Sequence, residues 1–185
     1  MKRVIAFGLL AVFVAVVGCQ SDRSNQGASA TGGARAESTQ TSAADTLFTA
    51  ALTGADMMPP VMTEATGEAR LAVEKMETEI VYTLTVTNVT DAIMAHIHEC
   101  TADSLGPIEV WLYPPSPGQE LKAGSFTGTL AEGTIVADSL VGPMQGKTVA
   151  DLVNQMRAGN ACIVVHTQAH PDGEILGKIH SAQAM

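Results

Sequence analysis

Two short segments of the chain hold most of its histidine and cysteine. The chain has five histidines, and the segment AHIHEC places His96, His98 and Cys100 at alternate positions. The segment ACIVVHT sets Cys162 and His166 four residues apart, the same spacing as His96 and Cys100. Imidazole nitrogens are the commonest ligands for copper and zinc, and paired cysteines can form a disulfide. The two segments therefore raise the hypothesis of a metal site beside a disulfide.

If both segments are strands, alternation of side chains places each set of residues on one face. For antiparallel neighbours, one register sets His96 opposite His166 and also Cys100 opposite Cys162. Directly opposed Cβ atoms are about 4.5–5.5 Å apart, within the ordinary distortion of a disulfide. We therefore predict a Cys100–Cys162 disulfide. The alternative is two buried, unpaired thiols.

The same register brings three histidines together, which predicts a metal site made of His96, His98 and His166. His170 follows in a loop just past His166 and is a candidate fourth ligand, whereas His180 lies near the end of another strand. The ligand type indicates a copper-like ion. The competing interpretation is that these histidines are packed and hydrogen-bonded to the backbone.

Methionines in the segment MMPPVM offer thioethers, which suit Cu(I). Met57, Met58 and Met62 stand in a proline-rich loop with no histidine beside them in sequence. Methionine is mainly a flexible filler of hydrophobic cores. These residues are left out of the predicted site.

Most of the elements that must position these residues have the sequence patterns of strands. Nine stretches have strand patterns: 47–52, 66–74, 78–89, 92–99, 107–113, 123–130, 133–140, 161–167 and 174–181. The segment 148–160 breaks this rhythm, because its apolar residues recur at helical spacing between a Thr148/Asp151 capping pair and Gly159. Short strands with one helix predict an all-β, antiparallel Greek-key sandwich.

The N-terminal residues have the build of an export signal. A basic start precedes an apolar run at 4–17 that is short for a membrane span, and Val16-Val17-Gly18-Cys19 resembles the lipobox of bacterial lipoproteins. We predict a signal peptide at 1–18, a lipidated Cys19 opening a flexible linker at 19–46, and a folded domain at 47–185. The protein would be anchored to a bacterial membrane, periplasmic or on the cell surface. An ordinary cleaved signal or an uncleaved anchor is the alternative.

The charge of the predicted domain excludes some partners. From Leu47 onward there are six Lys or Arg and sixteen Asp or Glu. Nucleic acids and anionic lipids need clustered positive charge, so we expect neither to bind this domain. The acidic surface is explained by solubility or by attraction of cations.

Three longer segments that contain these features resemble a known protein family. The segments FTAALTGADMMPPVMTEATGEARL, AHIHECTADSLGPIEVWLY and GKTVADLVNQMRAGNACIVVHTQAHPDGEILGKI, together spanning about 47–181, resemble the CHRD domain. The resemblance implies a β-sandwich or immunoglobulin-like module and points to no particular biochemical activity. The chain departs from the family pattern at Met57, Met58 and Cys162.

A shorter resemblance bears on the metal. AHIHE and VVH look like the copper-ligand strands of Cu/Zn superoxide dismutases, which implies copper at His96, His98 and His166. The chain has no counterpart of the histidine that bridges copper to zinc, of the zinc cluster or of the catalytic arginine, and Arg157 does not correspond to the latter.

The sequence thus predicts an exported, membrane-tethered binding module that holds a copper-like ion. The first alternative is a structural or adhesive surface module without metal. The second is a redox enzyme of dismutase type, which the acidic charge disfavours because superoxide is steered by positive charge. The sequence does not identify a protein partner.

Overall fold

The computed structural model describes residues 46–101, 104–114 and 121–182. Within these ranges the chain is all-β and antiparallel, as predicted, with a single α-helix. The elements are β1 (Leu47–Thr53), β2 (Thr66–Glu74), β3 (Glu79–Cys100), β4 (Leu105–Tyr113), β5 (Lys122–Ile135), α1 (Val149–Arg157), β6 (Ala161–Thr167), β7 (Ile175–Lys178) and β8 (His180–Ser181).

Strand β3 organises the sheet because it is 22 residues long and changes partners along its length. Its first half pairs with β2 and β5, and its second half pairs with β4 and β6. Strand β6 in turn pairs with β7, β7 with β1, and β1 with β2. The path from β3 through β2, β1, β7 and β6 therefore returns to β3, so the strands enclose a core on all sides.

Several predicted strand boundaries were wrong. The stretches 78–89 and 92–99 form one strand, in which Asn88 and Asp91 adopt positive φ angles of 57° and 53°. The pairing with β5 shifts register at these two points. Asn and Asp tolerate this conformation, so the strand bulges and bends without ending.

Strand β5 likewise merges the predicted stretch 123–130 with the start of 133–140. It ends at Ile135, and Ala137–Ser139 forms a 3-10 turn. The predicted stretch 174–181 is divided between β7 and β8. Turn residues between apolar stretches were therefore a poor guide to where strands end.

The predicted helix is confirmed as α1. The Thr148 side chain accepts a hydrogen bond from the Asp151 N–H at 3.2 Å, and the Asp151 carboxylate accepts one from the Thr148 N–H at 2.8 Å. This reciprocal cap satisfies two backbone donors at the start of the helix. Gly159, with a φ of 72°, follows its end. The buried face consists of Val149, Leu152, Val153 and Met156.

The two faces of β3 and β6 pack against different hydrophobic clusters. Ile97, Ile163 and Val165 belong to the large core that the strands enclose. Cys162 and Val164 belong to a second, smaller cluster. Because neighbouring residues on a strand point to opposite faces, the even-numbered histidines share the face of the second cluster.

The predictions for the N-terminal part concern residues that lie outside the described ranges. They include the signal peptide at 1–18, lipidation of Cys19 and the linker up to residue 45. Among the residues that the structure describes, no helix has the length and apolar character needed to cross a membrane.

Candidate metal centre

Strands β3 and β6 bring three histidines onto one buried face. His96 and His98 come from β3 and His166 comes from β6, and each is at most 6% exposed. His96 lies opposite Val164, and His98 lies opposite Cys162. The predicted pairing of His96 with His166 is therefore wrong by two residues. A two-residue shift keeps every side chain on its own face, so the histidines still converge.

The predicted disulfide between Cys100 and Cys162 is confirmed. Their Cα atoms lie 5.7 Å apart, within the usual range, and 62 positions separate them in sequence. The two cysteines are diagonal neighbours, because the Cys100 N–H donates to the Asn160 carbonyl at 2.9 Å. The register prediction failed because it required the cysteines to be directly opposed. The disulfide ties the end of β3 to β6 beside His98.

The three imidazoles are close enough to share one ion. One ring nitrogen from each of His96, His98 and His166 lies within 4.8 Å of those from the other two. Nitrogen ligands at about 2.0–2.1 Å from a tetrahedral ion are about 3.3 Å from one another. Side-chain rotations that draw the nitrogens together by about 1.5 Å or less would bring all three to coordination distance from one ion.

Backbone carbonyls orient two of the three rings. His98 Nδ1 lies 2.9 Å from the Gly106 carbonyl oxygen, and His166 Nδ1 lies 2.9 Å from the Pro171 carbonyl oxygen. A carbonyl can only accept a hydrogen bond, so Nδ1 carries the proton in both rings. The lone pair is therefore on Nε2. Hydrogen bonds of this kind are the usual support of metal-binding histidines.

The nitrogen atoms that face one another lack hydrogen-bond partners. Both ring nitrogens of His96, Nε2 of His98 and Nε2 of His166 are buried without a partner among the described residues. Each buried polar atom left in this state costs about 1–3 kcal/mol. Neutral His96 carries one N–H and one lone pair, so the four atoms offer three lone pairs, one from each ring, and a single metal ion could accept all three. The donor set thus fits an ion that prefers neutral imidazole, such as copper or zinc.

Burial keeps these imidazoles neutral. It lowers the pKa of His96 to about 3, and positive charge on His166 and His98 would lower it further. Burial also lowers the pKa of His98 and of His166, although the hydrogen bonds to Gly106 and Pro171 act in the opposite direction. Neutral imidazole is the form that binds a metal.

Trp111 of β4 covers part of the cluster. It lies directly opposite His96 on the neighbouring strand, and their rings meet edge to face with centroids 4.2 Å apart. The Trp111 side chain remains 45% exposed, so it lies between His96 and solvent. It is the only tryptophan in the chain and a natural optical reporter of the site. Sequence reasoning missed it; the only signal was its position in the strand that follows AHIHEC.

The other two histidines lie outside this cluster. The turn that carries His170 is fixed through its backbone, since the His170 N–H donates to the Thr167 carbonyl at 3.1 Å. The His170 imidazole is half-buried, and it lines a cavity together with Met57 and Met58. His180 is exposed on β8, near Thr49.

Comparison with known families identifies the family of this chain. The profile of the CHRD domain matches residues 48–179. The chain belongs to the CHRD family. The matched range contains the three clustered histidines, His170 and both cysteines of the disulfide. No curated protein and no solved structure matches this CHRD chain, so the resemblance to superoxide dismutase stays a prediction from two short segments.

Proposed function

We propose that this CHRD domain is an exported module that binds one metal ion through His96, His98 and His166. The observation that carries the proposal is the set of four buried ring nitrogens without partners among the described residues. A cluster that served only packing would be expected to satisfy these atoms. The hydrogen bonds from Nδ1 of His98 and His166 further support it, because they direct Nε2 toward the shared space.

Copper is the proposed ion, with zinc as the closest competitor. Three neutral imidazoles suit both metals and leave a fourth position open. The short resemblance of AHIHE and VVH to the copper strands of dismutases favours copper. The proposal concerns binding, and it assigns no catalytic residue.

We further propose that the domain is held at a bacterial membrane. The export signal at 1–18 and a lipid on Cys19 would provide the anchor, and the remainder of 19–46 would separate the domain from it. The acidic balance of the domain suits a soluble extracytoplasmic position. The CHRD family, whose domains are extracellular modules, is consistent with this location.

The test is a titration of residues 47–185 with Cu(II) and, separately, with zinc. We expect one tightly bound equivalent and, for copper, quenching of Trp111 fluorescence. His96→Gln should weaken binding by at least about 100-fold, because losing a ligand costs more than losing one of its outer partners. His180→Gln is the matched control, since it removes an exposed imidazole. An unchanged stoichiometry and affinity in His96→Gln would refute the site.

A structural or adhesive module is the second candidate. The observation in its favour is that two of the three histidines already bind backbone carbonyls. In that case the titration would show no bound metal, and His96→Gln would only lower stability. Superoxide-dependent turnover by the copper-loaded domain would instead indicate a dismutase-type enzyme.

A further inference from the structure

The structure places His170 beside two methionines that are distant in sequence. A cavity of about 270 Å³ lies between the loop after β1 and the turn after β6, and Met57, Met58 and His170 line it. Sequence reasoning rejected these methionines because no histidine stood near them along the chain. Folding supplies one from a segment more than a hundred residues later.

The loop that carries the methionines is held in place at several points. The Gly54 carbonyl accepts hydrogen bonds from the N–H groups of Met57 at 3.2 Å and Val61 at 2.8 Å. Further along, the Thr63 hydroxyl donates to the buried Glu174 carboxylate at 2.6 Å. The methionine side chains are thus presented by an ordered loop.

The Met57 thioether lies against the turn that carries His170. A Cβ added to Gly173 would lie 3.1 Å from Met57 Sδ and 2.5 Å from its methyl carbon. The Gly173 N–H in turn donates to the His170 carbonyl at 3.0 Å. Met57 is only 5% exposed, whereas Met58 and His170 are half-buried. The cavity therefore has thioethers on one wall, an imidazole on the other and access from solvent.

The His170 imidazole is available as a ligand. Its backbone N–H and carbonyl are both engaged in the turn, but its ring makes no hydrogen bond within the described residues. The cavity is smaller than the 300–1,000 Å³ typical of sites for organic ligands, which favours an ion. Two thioethers and one imidazole form a soft, uncharged set that selects Cu(I) over Zn²⁺.

We propose that Met57, Met58 and His170 form a second metal site, specific for Cu(I) and separate from the three-histidine cluster. It does not depend on the first site, because it uses none of the same ligands. The two sites are neighbours, since the Pro171 carbonyl that orients His166 belongs to the turn that carries His170.

The experiment uses the full chain with Cys19→Ser, so that no free thiol competes for Cu(I). His96→Gln and His166→Gln are added to disable the first site, and Cu(I) is titrated without oxygen against a chromogenic chelator. We expect one bound equivalent, lost when Met57→Leu and Met58→Leu are introduced. Met62→Leu is the matched control, because Met62 belongs to the same loop but is 98% exposed. Zn²⁺ should not occupy this site.

A second measurement needs no substitution at the proposed ligands. In the Cys19→Ser chain labelled with ¹³C at the methionine methyl groups, Cu(I) should shift the signals of Met57 and Met58 and leave that of Met62 unchanged. Unmoved Met57 and Met58 signals, or Cu(I) binding that survives the paired leucine substitutions, would overturn the proposal. Failure of the three-histidine site would appear separately. In that case the chain with all three histidines would bind no zinc, or His96→Gln would not weaken zinc binding.

Discussion

Mild acid should destabilise the metal-free domain, and His96 should be a main cause. An unfolded histidine has a pKa of about 6.5, whereas burial lowers the pKa of folded His96 to about 3. Below pH 6.5 the unfolded chain therefore binds a proton that the folded domain excludes. Stability falls as the pH drops through this window and levels off only below about pH 3.

The size of the effect follows from the two pKa values. One pKa unit corresponds to about 1.4 kcal/mol, so lowering the pH from 7 to 5 should remove about 2 kcal/mol through His96 alone. His98 and His166 should add to this loss, because burial lowers the pKa of both. Against a typical stability of about 5–15 kcal/mol, the change is readily measured.

The assay is urea unfolding of residues 47–185 at pH 7 and pH 5 in the presence of a chelator. His96→Gln keeps a polar side chain but cannot take up a proton, so it should lose about 2 kcal/mol less than the unsubstituted domain. His180→Gln should behave like the unsubstituted domain. If His96→Gln and the unsubstituted domain lost the same free energy between the two pH values, the assignment of a buried neutral His96 would be wrong.

Three further changes test the surroundings of the site by urea unfolding. Removing the disulfide with Cys100→Ala and Cys162→Ala should lower the free energy of unfolding by about 2–4 kcal/mol, and a loss below 1 kcal/mol would contradict its bracing role. Gly173→Ala should destabilise the domain more than Gly128→Ala, since their φ angles of 125° and 139° are similarly unfavourable for alanine but only at Gly173 would the new methyl group collide with neighbours; equal losses would argue against the crowding. Thr63→Val should cost about 1 kcal/mol by removing the hydrogen bond to Glu174, and an unchanged midpoint would show that this bond does not hold the loop.

Local patterns predicted the elements of this fold well. The helix α1 was predicted correctly because three signals within 148–160 all indicate a helix. They are the capping pair at its start, the apolar residues at helical spacing and the glycine that follows its end. The faces of the ligand strands were also predictable, since alternation depends only on the backbone. Strand boundaries were harder, because residues such as Asn88 and Asp91 can either end a strand or bend it.

Features that depend on tertiary contacts were predicted less well. The register between β3 and β6 was missed because a disulfide accepts diagonal as well as opposed cysteines. The Pro171 carbonyl that orients His166, and the closeness of Met57 to His170, depend on how loops pack against strands. Such contacts join distant segments and leave no local pattern in the chain.

The most direct test of the three-histidine site is elemental analysis of residues 47–185 after Cu(II) or zinc loading and extensive dialysis, alongside His96→Gln and His180→Gln. We predict one retained ion per chain for the unsubstituted domain and for His180→Gln, and none for His96→Gln. No retained ion in the unsubstituted domain, or equal retention in His96→Gln, would contradict the claim that His96, His98 and His166 bind a metal.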